Sequence, residues 1–165
     1  MKAILLFDLR QFARQLPGYV ILLLLLCMGI FTGNKFNMSA GEGMELNSPY
    51  TIGFMLGLLS LTVIFIATFF AIRMLFSEWD NRVNLLIFTT PVRKRSFATG
   101  RFLSLWLLTL SGFLFMTTGF VIGQQMRETG TAFHFLHYAY PWLFFGVFNS
   151  LLVCSVLYFA GWTTQ

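Results

Sequence analysis

Four long runs of apolar residues follow one another along this chain, separated by polar stretches. A bilayer core about 30 Å thick is crossed by about 20 helical residues. The runs therefore predict membrane-spanning helices at about 17–33, 51–76, 102–123 and 140–162. Because the apolar residues are continuous and do not alternate with polar ones, we predict helices and not the strands of a barrel.

A separate amphipathic helix is predicted for residues 1–16. Its apolar residues follow helical spacing and form one stripe: Leu5, Leu9, Phe12 and Leu16. Its polar residues fall on the opposite face: Asp8, Arg10, Gln11, Arg14 and Gln15. Such a helix is typical of the membrane interface. Pro17 then suits the first turn of the next helix. The alternative is that residues 1–16 simply extend the first span.

The lysines and arginines predict the orientation of the spans. Nine of the eleven lie on one side of the predicted bilayer: Lys2, Arg10, Arg14, Arg73, Arg82, Arg93, Lys94, Arg95 and Arg101. Lys35 and Arg127 lie on the other side. Because basic residues favour the cytoplasmic side, the N-terminus and the connection 77–101 are predicted to be cytoplasmic.

The composition excludes an ordinary soluble domain. Hydrophobic residues make up 57% of the 165 residues and charged residues 10%, against roughly 25% charged in soluble proteins. The fold class is therefore an all-α integral membrane protein with a single transmembrane domain over 1–165. The net charge of +5 fits the positive-inside bias and contact with anionic lipid better than nucleic-acid binding.

The connection 77–101 carries an unusual concentration of charge. Seven of the seventeen charged side chains lie between Phe76 and Phe102. Ser77 is predicted to cap a short half-apolar helix that ends near Pro91, and Ser96 to cap the third span. A simple anchored hairpin explains the basic residues, whereas a docking surface for a cytoplasmic partner also explains the acidic helix.

This order of elements resembles the permease subunits of ABC-2-type ATP-binding-cassette exporters. The resemblance covers nearly the whole chain and is carried by Glu78 after the second span, the short helix with Leu85 and Leu86, Thr90-Pro91, and the basic residues that follow. It implies that the 77–95 element couples to a separate cytoplasmic ATPase. The implied coupling residues are Glu78, Asp80, Arg82, Arg93, Lys94 and Arg95, with the 93–95 cluster near lipid phosphates.

The resemblance also implies a partner and a location. Two permease halves, identical or different, would form the exporter in a plasma membrane such as the bacterial inner membrane, and residues 1–16 would match the family's connecting helix. Such permeases usually have six spans and this chain shows four, so we expect it to be the N-terminal part of a longer permease.

Catalytic chemistry is not indicated. The chain lacks a G-x-x-x-x-G-K-[ST] phosphate loop, so ATP would be used by a partner, and this chain is predicted to bind no cofactor or metal and not to be an enzyme. His134 and His137 have the spacing of half a metal site, which leaves an intramembrane metalloenzyme as a third hypothesis. Interfacial aromatic residues with Tyr138, Tyr140 and Trp142 explain them better. The second hypothesis is a membrane anchor or scaffold without transport.

Three G-x-x-x-G pairs are candidates for close helix packing or subunit contact. They are Gly29/Gly33, Gly53/Gly57 and Gly119/Gly123, all toward the outer ends of their spans. The alternative is the general abundance of glycine in membrane helices.

Overall fold

The computed structural model of the protein describes residues 2–14, 16–35, 48–80, 94–127 and 134–163. Nearly all of them are helical, and no strand occurs among them. In chain order the elements are α1 (Lys2–Ala13), α2 (Leu16–Lys35), α3 (Pro49–Ser60), α4 (Thr62–Asp80), α5 (Lys94–Arg127), α6 (Phe135–Pro141), a π-helix (Trp142–Phe148) and α7 (Asn149–Thr163).

Four helical stretches are long and apolar enough to cross a membrane, which confirms the number predicted from the apolar runs. They are Leu16–Lys35, Pro49–Arg73, Phe97–Arg127 and Phe135–Gly161. The helices extend beyond the predicted spans, because backbone hydrogen bonding continues into polar residues that an apolar run does not include.

Two predicted helix caps are wrong for this reason. Ser77 lies inside α4, which continues to Asp80, and Ser96 lies inside α5, which already begins at Lys94. α4 and α5 thus both extend into the predicted connection 77–101. Residues 81–93, and with them most of the predicted short helix, lie outside the described residues.

The second span is divided at Leu61. α3 begins at the cap residue Ser48, whose side chain accepts a hydrogen bond from the Thr51 amide, and it ends at Ser60. The hydroxyls of Ser60 and Thr62 each donate to a carbonyl three residues earlier, with oxygen–oxygen distances of 2.6 Å. Such bonds compete with the helical ladder and favour a bend.

The fourth span is divided as well. Pro141 ends α6 and is followed by the π-helix Trp142–Phe148. Proline has no N–H for the ladder and its ring crowds the carbonyl four residues earlier, so the regular ladder is interrupted at this point. π-Helical turns are rare and occur frequently at functional sites.

The core forms two layers along the bundle. One cluster joins α3 and the second half of α5, with Ile52, Phe113 and Met116 fully buried. The other joins α4, the first half of α5 and α7, with Ala67 and Cys154 fully buried. The first cluster lies toward the ends of the spans that were predicted to be outer, and the second toward the predicted cytoplasmic ends.

The N-terminal helix α1 packs against the second cluster. The Phe12 ring meets the Phe70 ring edge to face, with 5.1 Å between centroids, and it also covers Gly18. Leu9 contacts the same cluster. The apolar side chains of Leu6 and Phe7 are exposed, so apolar residues lie on both the packed and the open sides of this helix.

Candidate functional site

The charged connection between α4 and α5 is only partly described. Glu78 and Asp80 lie in the last turn of α4, and Lys94 and Arg95 in the first turn of α5. Arg82 and Arg93 lie outside the described residues. Coupling by these six residues is a prediction that stays open.

A second charged site lies where α1 meets α5. Asp8 of α1 interacts electrostatically with Arg101 of α5, and its carboxyl lies near Ser104, one turn further along α5. The Ser104 hydroxyl donates to the Gly100 carbonyl at 3.0 Å. The guanidinium carbon of Arg101 lies 5.1 Å from the centre of the Phe97 ring, a cation–π distance. The charged pair therefore lies between an N-terminal helix and the start of a long apolar helix.

Burial has the largest influence on the pKa of Asp8. It raises the pKa of this carboxyl above its ordinary value, and the charge of Arg101 and the nearby Ser104 hydroxyl offset only part of the shift. Among the described residues, the oxygen Oδ2 is buried and has no hydrogen-bond donor. The site thus holds a carboxyl group that is more easily protonated than one in water.

Helical periodicity alone did not reveal this pair. The stripe pattern placed Asp8 on the polar face of the N-terminal helix, but the structure turns this side chain toward the bundle. Arg101 was predicted only to mark the cytoplasmic side. An ionisable residue inside an apolar helix usually faces a protein partner, and that signal at Arg101 was available in the sequence.

Two of the three glycine pairs face each other across α2 and α5. A Cβ on Gly29 would overlap the Met116 carbonyl, and one on Gly33 would overlap the Phe120 carbonyl. In the reverse direction, a Cβ on Gly119 would overlap the Leu26 carbonyl, and one on Gly123 the Ile30 carbonyl. The two backbones are therefore in direct contact. Because the contact on α5 moves from Met116 to Phe120 as the position on α2 moves from Gly29 to Gly33, α2 and α5 run parallel.

The third pair packs more loosely. A Cβ on Gly53 would lie 3.8 Å from the ring of Pro141, and one on Gly57 would lie 3.5 Å from the ring of Phe145. These are ordinary van der Waals distances to side chains. Gly53 and Gly57 therefore border α6 and the π-helix without requiring the absence of a side chain.

Polar side chains link α5 to α7 within the second core cluster. The indole nitrogen of Trp106 donates to the hydroxyl of Ser150 at 3.1 Å. The Cys154 thiol lies 3.5 Å from the hydroxyl of Thr109, which itself donates to the Leu105 carbonyl at 2.8 Å. Small polar residues of this kind are common between packed membrane helices.

A cavity of about 550 Å³ lies between α3, the second half of α5 and the start of the fourth span. Leu56 and Tyr138 form its buried inner wall, and Leu114, Ile122 and Phe135 lie at its exposed edge. The Tyr138 hydroxyl lies 2.7 Å from Oε1 of Gln124 and donates to it. The cavity is therefore apolar and opens on the side of the bundle.

The two histidines do not complete a metal site within the described part of the chain. Their ring centroids are 5.1 Å apart, and no group of three or more histidine, cysteine, aspartate or glutamate side chains occurs there. Glu128, the nearest acidic residue in the sequence, lies outside the described residues.

Comparison with known proteins does not place the chain in a family. No protein-family model, no curated protein and no solved structure matches it.

Proposed function

We propose that this chain is the membrane-spanning permease component of an ABC-2-type ATP-driven exporter, coupled to a separate cytoplasmic ATPase through the 77–95 element. The observation that carries the proposal is the concentration of charge between two long apolar helices. Acidic residues end the described part of α4 and basic residues begin α5. A partner protein with complementary charge would meet both acidic and basic residues within one connection.

The parallel packing of α2 and α5 supports the membrane arrangement in this proposal. If the helices span a bilayer, one crossing, the second span, lies between them, so they must run in the same direction. The glycine register between them has this direction. The N-terminus and the 77–95 element then share the cytoplasmic side, α1 lies at that interface, and Lys35 and Arg127 lie on the outer side.

In the proposed mechanism the partner binds and hydrolyses ATP and this chain binds no cofactor. Closure of two ATPase subunits displaces the 77–95 element. The displacement tilts α4 and α5, and a second permease half moves in the same way about the transport path. The chain contributes no catalytic residue, and its partners are the ATPase, the second half and the bilayer, without nucleic acid.

The proposal is tested by capture of the partner from the native host in mild detergent. The protein with both Glu78→Lys and Asp80→Lys is compared with wild type, and a co-purified soluble ATPase is identified by mass spectrometry and by ATP hydrolysis. We expect wild type to retain the ATPase and the charge-reversed protein to lose it.

A matched control reverses charge on the other side of the proposed membrane. Lys35→Glu with Arg127→Glu changes the same number of charges, and we expect it to retain the ATPase. Failure of correctly folded wild type to capture any ATPase would favour the alternative, a non-transporting membrane anchor or scaffold. Equal loss from both double variants would mean that the 77–95 element is not the docking surface.

A further inference from the structure

The cavity beside α5 lies at the end of the bundle opposite the end of α4 and the start of α5. Leu56 comes from α3, Thr117 and Ile122 from the second half of α5, and Tyr138 from α6. If the chain spans a bilayer as proposed above, this position is in the outer half of the membrane, and the open side of the cavity faces lipid. The inference below depends on that membrane placement and not on transport.

The hydroxyl groups around the cavity are already engaged. The hydroxyl of Thr117 donates to the Leu114 carbonyl at 3.0 Å, and that of Thr118 donates to the Phe115 carbonyl at 2.8 Å. The Tyr138 hydroxyl donates to Gln124. The indole nitrogen of Trp142, which lines the cavity, is buried and has no hydrogen-bond acceptor among the described residues. A polar ligand would lose its hydrogen bonds to water and find at most this one buried donor in exchange, so the lining favours an apolar occupant.

The cavity is closed at its inner wall and open at its edge. Its inner wall is fixed by side chains with almost no exposure, such as Leu56 at 1% and Tyr138 at 7%. Its edge is formed by half-exposed residues, such as Leu114 and Ile122 at 44% each. A flexible apolar chain can enter between these edges from the side without leaving the hydrocarbon.

We propose that this cavity binds one acyl chain of an outer-leaflet phospholipid. Without an occupant the lining would lose dispersion contacts over a space far larger than the small voids of protein interiors. The bilayer supplies acyl chains at high concentration directly at the open side. The bound phospholipid is a resident of the site, held between the third and fourth spans.

The test places a photo-reactive benzophenone side chain at Ile122, at the edge of the cavity. Phe31 is the matched control, because Gly33 lies opposite Gly123 and Phe31 therefore has nearly the same depth on α2. Phe31 is 64% exposed and is not part of the cavity lining. The full chain is irradiated in detergent micelles with limiting 1-palmitoyl-2-oleoyl-phosphatidylcholine, and adducts are measured by intact-protein mass spectrometry.

We expect the phospholipid adduct at position 122 to persist as detergent dilutes the lipid, and the adduct at position 31 to fall with the dilution. Filling the cavity by Ala139→Phe should reduce the adduct at 122 to the level seen at 31. The same change at the exposed Ala160, outside the cavity, should leave it unchanged.

Three results would overturn the proposal. One is an equal decline of both adducts on dilution. Another is a covalent dimer at position 122, which would show a second copy of the chain on this surface. The third is an adduct at 122 that is unaffected by correctly folded Ala139→Phe. If that variant does not fold, the comparison of positions 122 and 31 in the protein that keeps Ala139 still tests the proposal.

The proposed function can fail separately from this inference. If wild type captured no ATPase, the exporter proposal would be contradicted, whereas the proposed lipid site would not be affected. If the cavity bound no phospholipid, the proposed coupling of the 77–95 element to an ATPase would not be affected.

Discussion

The side-chain amide of Asn149 donates a hydrogen bond to the backbone carbonyl of Ser60, with 3.1 Å between nitrogen and oxygen. The amide of Ile64, the usual donor to this carbonyl in a continuous helix, bonds instead to Leu61 at 3.3 Å. Asn149 therefore supplies the partner that the break in the second span removes. It is also the first residue after the π-helix, so one hydrogen bond joins the irregular parts of two spans.

Replacement of Asn149 by leucine should lower the stability of the protein around the break in the second span. The Ser60 carbonyl loses its donor in a buried position, and interhelical hydrogen bonds of this kind are worth about 0.6–2 kcal/mol. We expect a loss of this size in the free energy of unfolding, with faster hydrogen exchange of the amides around Leu61. Both are measured in the same detergent by steric trapping and mass spectrometry.

Trp106→Phe is the control for this prediction, since it also removes one side-chain hydrogen bond to the start of α7, that with Ser150. It should leave exchange around Leu61 unchanged. Equal acceleration of exchange there in both variants would show that the effect comes from general loosening of α7.

The glycine contact between α2 and α5 should not tolerate a methyl group at Gly119. Its Cβ would overlap backbone that cannot rotate away, so the helices must separate and lose packing, at a cost of about 1–3 kcal/mol. Gly57→Ala is the matched change. There the Cβ meets only a phenylalanine ring at 3.5 Å, and the alanine gains about 0.5–1 kcal/mol in helix propensity.

The free energy of unfolding of the two variants should therefore change in opposite directions. A cysteine pair introduced at positions 30 and 120 would show the separation directly, as slower disulfide formation in the Gly119→Ala protein. Equal stability of the two alanine variants would contradict the direct backbone contact.

The docking of α1 should depend on pH through Asp8. Burial raises the pKa of this carboxyl above its ordinary value of 3.8, so the folded protein holds the proton more tightly than the unfolded chain. This contribution to stability is fully present at low pH and is lost as the pH rises through the raised pKa. Hydrogen exchange of α1, corrected for intrinsic rates, should show the greatest protection at low pH.

Asp8→Asn mimics the protonated carboxyl and should remove the pH dependence without weakening the docking at neutral pH. Asp80→Asn makes the same change at the other aspartate of the chain and should preserve the dependence. Weaker protection of α1 in Asp8→Asn at neutral pH would show that attraction to Arg101 outweighs the cost of burial.

The proposed orientation predicts opposite labelling of two surface positions. In a protein without its native cysteines, a cysteine at Lys35 should react with a membrane-impermeant maleimide in intact cells. A cysteine at Arg95 should react only after the cells are permeabilised. The reverse pattern would place the 77–95 element outside and exclude its contact with a cytoplasmic ATPase.

The sequence was informative about helices because backbone hydrogen bonding is local. Within a membrane, a continuous apolar run can satisfy its own carbonyls only as a helix, so the four spans followed from the apolar runs alone. Pro141 also signals locally that the ladder is interrupted. In contrast, the stretch from Leu58 to Val63 contains neither proline nor glycine. The Ser60 carbonyl in this stretch accepts a hydrogen bond from Asn149, 89 residues away, and no local pattern indicates that partner.

The candidate sites were harder to predict because their partners are distant in the chain. All three glycine pairs have the same motif, and only the packing shows that backbone meets backbone at Gly29 and Gly119 but not at Gly57. Helical periodicity placed Asp8 on the polar face, because it takes no account of a distant partner such as Arg101. The cavity is formed by three separate helices and has no local signature.

The contact between Gly29 and Gly119 has a consequence for synthesis. These residues are 90 positions apart in the chain, and translation adds about 5–20 residues per second. At these rates, α2 exists for roughly 5–20 s before the matching part of α5 has been made. During this interval its glycine surface faces lipid or an insertion factor. A helix with a fully bonded backbone tolerates that exposure, and only the final assembly requires the partner surface. The first span is thus able to insert early, while the bundle is completed late.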